Sequence, residues 1–488
     1  MLFIVVALIF LLGIPQTGSL IVAPLRCHGA TLVSKRTCNS AATVRMSGLG
    51  NGDEKGKQGD DDTLVFRRTM LKKKQLEIPH NMGVGTMAWG DAKAGFVGDP
   101  KHRPKPGEFN PADIQGAFNA LVGAGVTFFD TSDVYGYKST ESGLSAEHLL
   151  GRFTEESRLG RPLIGAKYMP ILWTKFLIGG PWRGGRRAVV KALKNTLDRG
   201  GWTYLDLYQA RHPLLGCSRS CVHFPFPYLG GMDALADGLA KAYERGLCRS
   251  VGVSNFNAKQ LRDFSGRLEK YGMRVASNQI EYSLINRDRE EDGTLEECKR
   301  LGVLPIAHTP LAKGLATGVY TASNPTGGKT GMPKYNFKDL LPLTPVHTAL
   351  VQVAKRVEGR LFNEAKELAK KQAQQLEPGQ QPPPAPRPRT VSTTQVALNY
   401  VRAKGLVPLP GVKTRAHADE VVGCLGWELE REDVAVLDAA HDAYKVNTGG
   451  QTISRSKERD VMKREFVAKR PRATWTRTQG YEFDDEDK

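Results

Sequence analysis

The chain has 488 residues, of which 40% are hydrophobic and 25% charged, an ordinary globular balance that supports a sizeable core. Its seven cysteines (Cys27, Cys38, Cys217, Cys221, Cys248, Cys298, Cys424) are odd in number and follow no repeated spacing, which argues against a disulfide scaffold; Cys217 and Cys221 lack a matching Cys/His pair, so no metal site is expected. A net charge of +18 is compatible with nucleic acid, an anionic membrane or anionic ligands, and charge alone does not choose among them.

Residues 1–20 open with MLFIVVALIFLLG, too short to span a membrane comfortably, followed by small and polar residues. This reads as a signal peptide, although no Lys or Arg precedes the apolar run; a membrane anchor is the other reading. Residues 21–52 contain no Asp or Glu, while Arg26, Lys35, Arg36 and Arg45 sit among Ser, Thr and Ala, which is a transit-peptide composition. The pair resembles the bipartite leader of plastids reached through the ER. The expected destination is such a plastid, the secretory pathway being the alternative, with no stable membrane association after processing. Acidic residues begin at Asp53, and residues 53–75 read as a solvated linker.

Between residues 76 and 445, short β-rich runs alternate with helical ones. The strand candidates are GVGTM (83–87), VTFFD (126–130), PLIGAK (162–167), YLDLYQA (204–210), SVGVS (250–254), VASNQI (275–280), GVLPIA (302–307) and LVPLP (406–410). Amphipathic stretches such as ADIQGAFNALVGAG, RRAVVKALKNTLDR and DALADGLAKAYERG lie between them. The strands are too apolar to have one wet face, as parallel strands covered by helices should be. The predicted fold class is therefore α/β, a (β/α)8 TIM barrel. Residues 358–390, a charged helical run ending in PGQQPPPAPRPR, are predicted to be an exposed insertion, and residues 446–488 a charged tail. A basic tail is more often a solvated charge run than a nucleic-acid site, so no nucleic-acid partner is expected.

In such a barrel, chemistry gathers where strands end. The strand ends here offer Asp130, Lys167, Arg211 and His212, Ser254 and Asn255, Gln279, His308 and, after the last strand, Lys413. A lysine closing one apolar strand beside an aspartate closing its neighbour is expected to be paired with it, because an unpaired buried charge is costly. Tyr135 follows Asp130 by five residues, on a turn. A free phenol holds its proton until about pH 10. An adjacent ammonium stabilises the phenolate, so the trio suits proton donation to a carbonyl oxygen. No GxGxxG follows a strand, so a Rossmann-bound hydride donor is not indicated.

Read together, DTSDVYG (130–136), GAKYMP (165–170), GVSNF (252–256) and SNQIEYSLINR (277–287) resemble the aldo-keto reductases, over nearly the whole span from residue 76 to 444. PWR (181–183) and LDLYQ (205–209) are similar to plastid members of plants and algae. The resemblance implies an NADPH-dependent oxidoreductase that reduces small aldehydes or ketones to alcohols. It implies Tyr135 as general acid, tuned by Lys167 and Asp130. It also implies that Gly85, Thr86, Ser254, Asn255 and Gln279 contact the cofactor, that His308 stacks on the nicotinamide, and that Lys413 and Arg415 clamp its 2′-phosphate. Trp89, with the loop from Leu214 to Leu229, should wall the substrate pocket. Where the family has a catalytic histidine in DLYxxHxP, LDLYQARHP has Arg211, with His212 one place late. Arg211 is expected to face the pocket, either holding the substrate oxygen or slowing turnover. Slow turnover leaves an alternative: an NADPH-binding barrel serving as a regulatory or interaction subunit.

Overall fold

Apolar runs that bury both faces need a partner on each side, and the computed structural model supplies it with a ring of parallel strands inside a ring of helices. It describes residues 76–169, 184–211, 231–327, 335, 337–375 and 384–449; the leader, the linker, the charged tail beyond residue 449, His212 and the 214–229 loop lie outside these. The strands are β1 (Gly83–Gly85), β2 (Phe128–Asp130), β3 (Leu163–Tyr168), β4 (Leu207–Arg211), β5 (Val251–Ser254), β6 (Ser277–Glu281), β7 (Leu304–His308) and β8 (Val407–Leu409). They pair in chain order, each parallel to the next. A parallel bridge between Gly85 and Gly411 closes the ring, with Gly85 N–H donating to the Pro410 carbonyl at 2.9 Å. This is the (β/α)8 barrel expected from the sequence.

The helices are α1 (Pro111–Gly123), α2 (Ala146–Glu156), α3 (Arg186–Gly200), α4 (Gly231–Glu244), α5 (Ala258–Glu269), α6 (Thr294–Leu301), α7 (Thr344–Gln374), α8 (Thr393–Ala403), α9 (Arg415–Val422) and α10 (Arg431–Asn447), with shorter turns between. Local chemistry sets their starts. Asn110 and Asp113 form a capping box on α1 with Pro111 in the first turn, and Asn257 and Gln260 do the same for α5. The 31-residue α7 packs through Val346, Leu350, Val353 and Val357 into a second core with Tyr400, Leu437 and Tyr444. Past Leu361 its side chains are largely exposed. The chain then returns so that Val391 N–H meets Glu358 Oε1 at 2.8 Å.

Strand alternation divides the apolar residues into two sets. Phe129, Ile164, Ala166, Tyr208, Ala210, Val251 and Val253 face the helices. Phe128, Leu207, Ile306, Val407 and Leu409 form a separate cluster with Ile78 that fills the lower barrel.

Candidate active site

The same alternation fixes what faces inward above that apolar plug. On β2, Phe128 is in the plug and Asp130, two residues on, is the next inward position. On β3 the inward positions are Leu163, Gly165 and Lys167; on β4 they are Leu207, Gln209 and Arg211. A Cβ on Gly165 would come within 3.0 Å of the Phe128 ring, so glycine there lets the plug and the polar layer above it meet.

Asp130 and Lys167, 2% and 6% exposed, form an ion pair in the barrel interior. The lysine Nζ also donates to the Thr131 carbonyl at 3.0 Å. The second carboxylate oxygen of Asp130 accepts from the Gln209 amide at 3.2 Å and the Gln279 amide at 2.9 Å. Two amides and an ammonium thus satisfy a charge that would be untenable alone. Burial works against the Lys167 charge, but the Asp130 carboxylate and the Tyr135 phenol more than offset it and hold the ammonium above the usual lysine range. Its Nζ sits 4.9 Å from the centre of the Tyr135 ring. The turn that presents this ring depends on Gly136: its φ is 63°, and a Cβ there would lie 2.5 Å from the Trp89 carbonyl. Thr86, fully buried, fastens the end of β1 to β2 through its N–H and hydroxyl, both donating to the Asp130 carbonyl at 3.0 and 3.1 Å.

On the opposite side of the rim, Ser254 ends β5 and is buried, and Asn255 follows with φ 60°, a left-handed conformation that asparagine tolerates. The Asn255 side-chain oxygen meets His308 Nε2 at 2.9 Å, and His308 Nδ1 meets the Thr309 hydroxyl at 3.0 Å. Thr309 also has φ 60°, an outlier for a β-branched residue. The His308 ring is pushed down to about 3, first by burial and then by the charges of Arg211 and Lys167, so it is a neutral imidazole at physiological pH.

Arg211 shares the inward face of β4 with Gln209 and is half-buried, its guanidinium 3.9 Å from the Met169 sulfur. Gly85 lies at the ring closure and Thr86 just beyond it. Lys413 donates to the Ala94 carbonyl at 2.6 Å and lies over the Phe109 ring, while Arg415, the first residue of α9, pairs with Asp419 at 2.7 Å. Asp130, Lys167, Tyr135, Arg211, Ser254, Asn255, Gln279 and His308 are thus brought to one rim, with Lys413 and Arg415 beyond it. Trp89 is not on a pocket wall. It is fully buried against Phe129 and Phe153, and its indole N–H donates to the Val412 carbonyl at 2.8 Å. Met87, two residues earlier, is 66% exposed beside the end of β1. Gln209 went unread in the sequence, although counting two residues on from Leu207 along the strand leads to it.

The barrel of eight parallel strands thus carries a buried ammonium, a phenol and amide side chains at its carboxyl rim. The aldo/keto reductase family profile matches residues 81–442, and the chain belongs to that family of NADP(H)-binding oxidoreductases. Over 362 residues it is 30% identical to the chloroplastic pyridoxal reductase of Arabidopsis thaliana, covering 74% of this chain and 82% of that protein. Over 217 residues it is 30% identical to the 6-dehydroglucose reductase of Novosphingobium aromaticivorans, covering 43% and 63% respectively. A glycerol dehydrogenase structure from Gluconobacter oxydans aligns with a TM-score of 0.49 at 20% identity, over 78% of this chain and 97% of that one.

Proposed function

We propose that the protein reduces small aldehydes or ketones to alcohols with NADPH, with Tyr135 as the proton donor. The observation that carries this reading is the buried Lys167 ammonium, bonded to Asp130 and 4.9 Å from the Tyr135 ring centre. When Tyr135 gives its proton to a carbonyl oxygen, it is left as phenolate, and the nearby ammonium stabilises that charge. Asp130 keeps the ammonium in place, and Gln209 and Gln279 keep Asp130 in place.

The rim also fits the cofactor. Ser254 Oγ, Asn255 Nδ2 and Gln279 Oε1 have no hydrogen-bond partner among the described residues, and a hydroxyl with two amides matches the donor and acceptor of a carboxamide. These residues would hold the nicotinamide, with the flat His308 ring beside it; Gly85 and Thr86 would border it, and Lys413 and Arg415 would clamp the 2′-phosphate. NADPH, when bound, supplies the hydride for the carbonyl carbon.

The test is NADPH oxidation by the full chain against a panel of aldehydes and ketones that includes pyridoxal. Tyr135→Phe should lower kcat about a hundredfold or more while nucleotide affinity stays nearly unchanged, because the phenol acts only in the transition state. Wild-type kcat in that variant would remove Tyr135 from the role. The Arg211 charge on the same inward face supports a second reading, a barrel that binds NADPH but turns over slowly and serves as a regulatory subunit. Tight NADPH binding with no measurable reduction across the panel would select it. The leader composition and the chloroplastic relative support delivery to a plastid. Residues 1–53 fused to a fluorescent protein should enter a complex plastid, whereas a fusion starting at residue 20 should not; secretion of the full fusion would defeat this.

A further inference from the structure

Arg211 puts a permanent positive charge where a carbonyl substrate would lie. Its orientation follows from β4: Leu207 is in the apolar plug, Gln209 bonds to Asp130 in the barrel interior, and Arg211 is the next position of that face. It stands level with Ser254 on β5, one inward position above the layer that holds Gln209. The surroundings are cationic. Arg211, Lys167, Arg289 and Lys313 all act on the His308 ring and favour its neutral form. By register Ser254 is level with Gln279 on β6, and Glu281 stands one inward position further on, level with His308.

We propose that this rim selects carbonyl compounds that carry an anionic group, a carboxylate or a phosphate ester, gripped by Arg211. The inference rests on the reductase reading and adds the substrate class to it. A guanidinium is a planar fork whose paired N–H groups match two oxygens of a carboxylate or phosphate, and it does not lose its charge. A neutral aldehyde makes no use of it. A substrate with an anionic end would be held by that end at β4, leaving its carbonyl free to reach Tyr135.

Two matched substrate pairs test the idea on the full chain: succinic semialdehyde against butanal, and glyceraldehyde 3-phosphate against glyceraldehyde. Within at least one pair, wild-type kcat/KM should favour the anion by about tenfold or more, the usual worth of a hydrogen bond to a charged group. The favoured pair tells carboxylate from phosphate. Arg211→Gln should bring that ratio close to one, and Arg211→Lys should keep part of it; because a ratio is read, a general loss of activity in either variant cancels. Reduction of charged and neutral partners with equal efficiency by the wild type would overturn the anion site and leave the reductase reading standing. So would a ratio unchanged in Arg211→Gln. If no carbonyl is reduced, calorimetric titration with butyrate, butyramide and inorganic phosphate decides. Binding of butyrate or phosphate that Arg211→Gln abolishes would keep the anion site while the reductase reading falls, and absence of binding would overturn the anion site as well.

Discussion

Replacing Asp130 with Asn removes one charge and keeps the shape, which isolates what the carboxylate does. The carboxylate holds Lys167 with one oxygen and the Gln209 and Gln279 amides, at 3.2 and 2.9 Å, with the other. Asparagine has one acceptor oxygen and one donor nitrogen, so in either orientation it turns N–H groups toward donors. The ammonium, with its side chain 7% exposed, also loses its counter-charge. Removing one partner of a buried ion pair costs about 3–5 kcal/mol. The lower end, about 3 kcal/mol, is expected here, because the Thr131 carbonyl at 3.0 Å still accepts from Nζ. The loss carries a pH signature. In the wild type the Lys167 pKa stands above its ordinary 10.5, so its stabilising contribution is whole below that value and is lost only above it. In the variant, burial is no longer offset by the carboxylate and the pKa falls below 10.5. The folded variant then releases a proton that the unfolded chain keeps, and its stability rises with pH relative to the wild type. Urea unfolding of both proteins at pH 7 and pH 9.5 should show a gap that narrows at the higher pH. A gap under about 1 kcal/mol at pH 7, or one indifferent to pH, would refute the account of Lys167 as a buried cation held by Asp130.

Glu147, 1% exposed and 2.5 Å from Arg199, is pushed up to about 7 by burial against the attraction of Arg199, with Asp133 pushing the same way as burial. Its folded pKa lies above its ordinary 4.5, so its contribution is whole below 4.5 and is lost as the pH rises through 7. Glu147→Gln should therefore gain on the wild type by up to about 3 kcal/mol between pH 4.5 and pH 8, and a pH-independent difference would show that the carboxyl is ionised throughout. Replacing residues 363–387 with a short Gly-Ser bridge should leave calorimetric unfolding cooperative and its midpoint within a few degrees. Starting the deletion at 358 should cost about 1–2 kcal/mol more, because it removes Arg360, which pairs with Glu430 at 2.7 Å, and the Glu358 contact to Val391.

Much of the rim was legible because each strand announces its own end. Apolar runs stop at Asp130, Lys167, Arg211, Ser254 and His308, and the period of two then states which way each points. Trp89 was not legible for the same reason in reverse. It lies four residues beyond Gly85, in a loop with no period to count along, and only tertiary packing turns it under Phe153 rather than toward the pocket. Gln209 lies within a strand rather than at its end, and only its bond to Asp130 makes it part of the site. In α7, composition becomes more charged after residue 358, yet Glu, Ala, Lys and Gln are strong helix formers and carry the helix on to Gln374. A change in polarity marks where a helix leaves the core, not where it ends.

The bridge between Gly85 and Gly411 differs from every other strand contact in the ring. Each of the others joins neighbours in the chain across one βα unit, while this one joins the first strand to the region just after the last. Beside it the Trp89 indole holds the Val412 carbonyl across 323 residues of sequence. Closure entropy grows with loop length, so this seam is the joint that local order helps least and the one whose loss frees the most chain. A cylinder assembled this way has a zip rather than a uniform wall. The buried fluorophore sits on the zip itself, so in a background of otherwise silent tryptophans its emission would follow the opening of the cylinder separately from the melting of any helix.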